Sequence, residues 1–549
     1  MENIQEPKGI KKWLPLFVLG LAILIIVIDT TLLNVSLGTI IRELKTNIQA
    51  LQWVITAYSL TLAALTITGG RLGDLFGRRR MFISGAILFA TGSLVASLSH
   101  SVGMLLIGES IIEGIGAALM MPATSSLLVS TYKGKDRAIA LGVWGGMAAV
   151  GSAIGPVLGG FLTSHYSWRW GFRINVFVAA LLVMGSFLIK DSRDREEKPT
   201  IDYVGVLLSS FGLLAGVFGI IEGSQYGWFK AKQLFTVAGH AISFGSFSVV
   251  PFAVLISVFL LSLFIAWEQS MTRHGKTPLV SMKLFTNKQF TSGALTTMMM
   301  SLGQVGVIFA IPVFLQGVRG FDSLHTGYAL LPLSIALVIA APLSGALLTG
   351  KFAPKHIIQT GLMINILALV VLRLGLGVHS TAWSVAPGLA LYGLGMGIGM
   401  AQISNLTLSA VAVDEAGEAS GVNNTLRQIG SSLGSAIIGA VLLTTLATQL
   451  QGKLSNSTIL PLDSRGSIAR EVSSQASAVE FGSQFKSTET LTTDQKSEIK
   501  LVADASTVSA ARLAMIYTIG FTALALAVST QLPSYMKIER HESPAPGAH

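Results

Sequence analysis

Fourteen stretches of the chain are apolar for about the 20 residues that a helix needs to cross a bilayer. They lie near 13–36, 51–70, 81–98, 104–128, 138–164, 171–189, 203–222, 248–267, 290–316, 326–350, 355–378, 384–412, 418–449 and 510–532. Short polar segments separate most of them. The pattern predicts an all-α integral membrane fold with fourteen spans. The eighth run has the least distinct start, because Ala241 to Val250 is only mildly apolar. The first run follows Lys8, Lys11 and Lys12. It is longer than the roughly 7–15 apolar residues of a signal peptide, so it reads as a retained first span.

The polar intervals carry a charge bias that sets orientation. With the N-terminus placed inside, Arg71, Arg78 to Arg80, Lys133, Lys135, Arg137, Lys190, Arg193, Arg195 and Lys198 fall on the inner side. A smaller set, including Arg42, Lys45, Arg169, Arg173 and Arg319, falls outside. The expectation is a multi-pass protein of the cell (inner or plasma) membrane with both termini cytoplasmic. One interval is long: Gln451 to Ser509 is polar, rich in Ser and Thr, and expected outside.

Composition narrows the function classes. Charged residues make up 12% and hydrophobic residues 51% of the 549 positions, against roughly 25% charged in a soluble domain. Most of the surface must therefore face lipid. The net charge of +10 sits largely in the short intervals as a topology signal, and no basic face interleaved with aromatics suggests nucleic acid. The absence of cysteine excludes disulfides, thiolate metal sites and cysteine nucleophiles. No metal-ligand spacing, nucleophile elbow or nucleotide loop is present. No cofactor, no metal and no enzymatic activity are expected.

Two motifs carry more specific information. After the second span the chain reads Gly70-Arg71-Leu72-Gly73-Asp74-Leu75-Phe76-Gly77-Arg78-Arg79-Arg80. Its glycines permit close approach and a sharp turn. Asp74 can pair with Arg78 or accept from the N-terminus of a neighbouring helix, so Gly70, Gly73, Asp74, Gly77 and Arg78 form a candidate conformational latch. The fifth span contains Gly151-Ser152-Ala153-Ile154-Gly155-Pro156-Val157-Leu158-Gly159-Gly160, in which Gly151, Gly155, Pro156, Gly159 and Gly160 give a flat, bendable helix.

These stretches resemble the signature loop and the antiporter motif of the major facilitator superfamily. Asp29 to Val35, Trp168 to Phe172, Ile174-Asn175-Val176, and Ala416 to Gly421 continuing through Arg427, Gly430 and Gly434 are similar to its fourteen-helix drug:proton antiporters. Phe177 stands where that family usually has proline. Leu348 to Lys355 resembles a worn second copy of the signature loop, with Gly350 near the acidic position. The resemblance implies two six-helix bundles plus an inserted helix pair. The expected division is 1–190 for the first bundle, 191–284 for the inserted pair and its linkers, and 285–549 for the second bundle, with the external loop near 451–509.

Ionisable groups inside spans are costly and mark function. Asp29, Glu109, Glu113, Glu222 and Arg427 are the candidates. Glu109 and Glu113 are four apart and share a helix face, and two carboxylates so close cannot both ionise cheaply. The resemblance places helices one and four on a central cavity. Asp29, Glu113, Glu109 and Arg427 are thus the candidate proton- and substrate-binding residues. Ser110 replaces the arginine that many relatives carry in the fourth helix, and Glu113 replaces a glutamine.

The reading that follows is a monomeric secondary active transporter working by alternating access. It exchanges protons for lipophilic small molecules, expected to be cationic because the cavity wall is expected to be acidic. Export of a lipid, anion or metabolite is the first alternative, since a fold says little about cargo. A membrane sensor or scaffold is the second.

Overall fold

The structure is a computed structural model. It describes residues 9–46, 48–191, 201–237, 240–321, 323–349, 351–412, 415–460, 465–466, 468–469 and 492–534.

Fourteen long helices account for most of the described residues. They are α1 (Leu14–Glu43), α2 (Ile48–Phe76), α3 (Arg78–Ser97), α4 (Val102–Thr131), α5 (Gly134–His165), α6 (Arg169–Ser186) and α7 (Tyr203–Tyr226). They continue as α8 (Val249–Arg273), α9 (Lys288–Arg319), α10 (Leu324–Leu348), α11 (Pro354–Gly375), α12 (Ala382–Leu408), α13 (Ala416–Ser455) and α14 (Thr493–Ser529). Twelve of them hold a described stretch that is, by length and composition, apolar enough to cross a membrane. α6 opens with Arg169 and Arg173, which lowers its mean hydropathy.

Local chemistry explains several helix ends. The Asn287 side chain accepts from the amides of Gln289 and Phe290 at the start of α9, and Gly320 closes that helix in the left-handed region. Ser248 caps α8. Thr492 and Gln495 form a reciprocal capping box that starts α14, as that residue pair does generally.

The last feature changes the long polar interval. α13 extends to Ser455 and α14 begins at Thr493, so both helices project into what hydropathy assigns to a loop. Ile499, Val502 and Ala503 pack there with Leu450, Leu454, Leu460 and Ile468. Residues 461–464, 467 and 470–491 of the interval lie outside the described residues. A second departure lies between α7 and α8. Strands β1 (Phe235–Val237) and β2 (His240–Ile242) pair antiparallel, and Phe235 meets Phe218 at 5.8 Å, which in turn stacks on Trp53 of α2 at 5.9 Å.

The first six helices pack mainly on one another: α1 on α5, α3 on α4 and α6, and α2 on α4. The last six do the same, with α12 against α10 and α11, and α9 against α13 and α14. α7 and α8 pair with each other and dock on the seam, where α7 touches α2 and α13. Across the seam, α5 runs against α10 and α2 against α13. α1 begins and α14 ends on one face, called here the terminal face; the opposite one is the far face.

Candidate functional site

The acids predicted on α1 and α4 meet inside the first six helices. Asp29 and Glu113 are 2% and 0% exposed. The Asn175 amide of α6 donates to Asp29 Oδ1 at 2.7 Å and to Glu113 Oε1 at 3.0 Å, and lies 3.2 Å from Ser93 Oγ of α3. Glu109 is buried nearby, within electrostatic reach of Asp29 and Glu113. The second oxygens Asp29 Oδ2, Glu109 Oε2 and Glu113 Oε2 have no hydrogen-bond partner, and no cation pairs with these acids among the described residues.

Backbone geometry helps gather them. α4 changes to a π-helix over Leu106–Glu113, a local widening common at functional positions. It presents Glu109 and Glu113 inward, while the Ser110 hydroxyl donates to the Val54 carbonyl of α2 at 2.7 Å. On the other side of α1 the antiporter motif forms a smooth ridge. A side chain at Gly151 would meet Leu24 and Val27, at Gly155 it would meet Thr31, and at Gly159 it would meet Leu32. Gly160 is half-buried on the same helix. The Pro156 ring and the side chains of Asn34 and Val35 lie outside the described residues.

A cavity of about 280 Å³ separates the two groups of helices. Its polar lining includes Thr30, Tyr58, Ser301, Gln304, Arg427 and Gln428. Asp29, Glu109 and Glu113 do not line it, which corrects the expectation of an acidic cavity wall. α1 turns Val27 and Thr30 toward the cavity and Asp29 toward Asn175. Tyr58 belongs to both environments: it lines the cavity, lies within electrostatic reach of all three acids, and has an unpartnered hydroxyl.

Arg427 stands apart from the acids, on α13, as the one formally charged side chain of the lining among the described residues. Its guanidinium lies 5.5 Å from the Trp144 ring centroid, and Nη2 lies 3.6 Å from Met121 Sδ. Trp144 is fixed by its own bond from Nε1 to Thr124 Oγ1, 3.1 Å.

The latch residues assemble at the terminal face. Arg78 donates to Asp74 through Nε at 3.0 Å and Nη2 at 2.7 Å. Asp74 also accepts from the amides of Gly417 at 3.0 Å and Glu418 at 2.7 Å, at the N-terminus of α13, where the helix dipole favours an anion. Gly70 lets α2 approach so closely that a side chain there would strike the Gly417 carbonyl. Gly73 leaves room beside Arg78, and Gly77 turns the chain with φ +106°, a conformation that suits glycine. Glu418 in turn accepts from the Ser281 amide at 2.6 Å, which ties the segment after α8 to the same junction. Gly350, in the second copy of this loop, lies outside the described residues. Glu222 accepts from Thr56 Oγ1 at 3.2 Å.

Sequence reasoning named Asn175 within a motif but missed its bridging role, and it missed Ser93 and Tyr58 altogether. Asn175 carried one usable signal, an amide in an apolar span. Ser93 and Tyr58 carried none beyond polarity.

A polytopic helical bundle with buried, uncompensated carboxyls, a central cavity and a polar latch across its seam defines a membrane carrier. The chain belongs to the Major Facilitator Superfamily, whose sequence profile matches residues 19–435. It is 30% identical to the multidrug resistance protein Stp of Mycobacterium tuberculosis over 80% of this chain and 78% of that one. It is 27% identical to the tetracenomycin C resistance and export protein of Streptomyces glaucescens, covering 87% of this chain and 86% of that one. Its fold is similar to that of the human organic anion transporter MFSD10, with a TM-score of 0.52 at 12% identity over 86% and 98% of the two chains. The chain is a secondary transporter of small molecules rather than an enzyme.

Proposed function

We propose that this protein exports lipophilic small molecules across the cell membrane in exchange for protons, acting as a monomer with its terminal face in the cytoplasm. The observation that carries the reading is the carboxyl cluster around Asn175. Two acids share one amide, and a third is buried beside them in an apolar interior. Burying three negative charges there without a counter-ion is prohibitive, so the cluster is a site for protons.

The two six-helix groups act as rocking bodies, and α7 and α8 ride on the seam. The Asp74 junction closes the route to the terminal face in this conformation. Rocking must pull Asp74 and Arg78 away from α13, and proton occupancy around Asn175 sets when that happens. Tyr58, at the boundary of cluster and cavity, is the side chain through which protons and cargo sense each other.

Cationic cargo was expected because the cavity wall was expected to be acidic. With the acids set back and Arg427 in the lining, that ground is gone, and the proposal specifies lipophilic cargo only.

The test is Glu113→Gln in inverted vesicles with an imposed pH gradient, using a panel of lipophilic dyes. Gradient-driven accumulation should vanish while the protein remains in the membrane. Unchanged accumulation of every transported dye would falsify the coupling scheme.

A further inference from the structure

We infer that the central cavity selects lipophilic organic anions, with Arg427 as the specificity-determining residue that binds their carboxylate or phenolate. The inference rests on the transport reading above and names its cargo.

A guanidinium offers five N–H donors in a planar fork and stays charged under all ordinary conditions. Here one donor points at the Met121 thioether and the plane lies near the Trp144 indole. These contacts orient the group without neutralising it. No carboxylate lies within ion-pairing distance of it among the described residues. The acids buried in the first six helices are committed elsewhere: Asp29 and Glu113 bond to Asn175, and none of the three, Glu109 included, lines the cavity.

An unpaired cation inside a membrane protein is costly, and such groups pair with one another or serve a pathway. Solute is the remaining source of negative charge. The rest of the lining suits the body of such a solute. Ile26, Leu62, Ile308 and Leu337 give apolar surface, and Gln304 and Gln428 add amide donors. The volume of about 280 Å³ sits near the lower end of the roughly 300–1,000 Å³ common for ligand pockets. It suits a compact ring system with one anionic group.

The experiment compares fluorescein and rhodamine 123, which share a xanthene core and carry opposite charge. Inverted vesicles bearing wild type, Arg427→Gln or Arg427→Lys are given a pH gradient, and lumenal dye is measured after filtration and lysis at fixed pH. Binding of each dye to the purified full chain is followed in parallel, with thermal melting to confirm folding. Wild type should accumulate and bind fluorescein in preference to rhodamine 123. Arg427→Gln should weaken fluorescein binding at least about tenfold, as loss of one partner of a buried charge pair does, and Arg427→Lys should retain part of it. Preference for rhodamine 123, fluorescein binding unchanged in a folded Arg427→Gln variant, or no saturable fluorescein binding by wild type would each overturn the inference. Gradient-driven rhodamine accumulation that survives Arg427→Gln and vanishes in Glu113→Gln overturns the anion site and leaves proton coupling standing. Fluorescein binding that depends on Arg427, with accumulation indifferent to the gradient, does the reverse.

Discussion

The carboxyl cluster and the cavity wall are neighbours with opposite chemistry. The cluster, within the first six helices, holds three acids and an amide. The wall, contributed by both groups of helices, holds a guanidinium on α13. A single acidic chamber would let cargo and protons displace each other directly. Two separated chambers of opposite sign require that each act on the other through the helices between them. α1 is the natural intermediary, since Asp29 points into the cluster while Val27 and Thr30 face the cavity.

The largest expected effect comes from removing one of the cluster's proton sites. Glu113→Gln, or Asp29→Asn, should lower gradient-driven transport by about 100-fold or more while leaving cargo binding at Arg427 within a few-fold of wild type, a split read by comparing transport with equilibrium binding. If both fall together, the chambers are not separate.

Next is the latch. Asp74→Asn removes one partner of a buried ion pair, a change worth about 3–5 kcal/mol, and should open the terminal face. Because the chain has no cysteine, a single Ser420→Cys probe can report this without background. Ser420 is buried on α13 and its hydroxyl bonds Ser125 of α4. Maleimide labelling should be slow in the otherwise wild-type chain and at least about tenfold faster with Asp74→Asn, as an opening bias of this size implies.

Asn175→Leu should have a smaller effect of about 1–3 kcal/mol, the cost of stranding buried acceptors. It should move the pH dependence of transport and leave fluorescein binding in place. A variant that alters binding and not the pH profile would mean that Asn175 serves the cavity.

The smallest effect concerns a clasp on the far face. Glu43, beyond the apolar part of α1, accepts from Trp168 Nε1 at 2.9 Å and from Arg169 Nη1 at 2.6 Å. The Trp168 hydrogen bond, aided by Arg169 and opposed by slight burial, holds the Glu43 carboxyl below its usual value of 4.5. Its contribution to stability is therefore complete above the ordinary, unfolded-chain value and fades as pH falls through the lower folded value. Melting of wild type should lose a little stability on acidification below about 4.5, and Glu43→Gln should lose less. The group is exposed, so the difference will be small. The clasp joins α1 to the start of α6, the two helices that carry Asp29 and Asn175.

The spans were legible because a bilayer demands long apolar runs, and the latch because Gly70, Asp74, Gly77 and Arg78 have few ways to be arranged. The start of α14 was not. Its first turns carry Asp494, Lys496, Glu498 and Lys500 among spaced apolar residues, so average polarity hides a helix whose Ile499 side is buried. The β1–β2 hairpin was hidden for a similar reason, being a few residues held by aromatic contacts to α2 and α7. For the site, counting residues from helix ends placed Asp29 and Glu113 at one depth, and their sequence positions said nothing of azimuth. Which way a span is rotated depends on what packs behind it, here Asn175 and Ser93, and hydropathy carries no such information.

α5 is notched by glycines on two sides. Toward α1 it shows Gly151, Gly155 and Gly159, and toward α10 it shows Gly142 and Gly146. Helices normally hold register because the ridges of one sit in the grooves of the other. α5 is also keyed to each half, with Met147 seated at Gly20 of α1 and Val157 at Gly327 of α10. A methyl group at Gly151 would crowd the Leu24 carbonyl and one at Gly142 the Ala341 carbonyl, so either half can be wedged off this shared spine without disturbing its seat on the other.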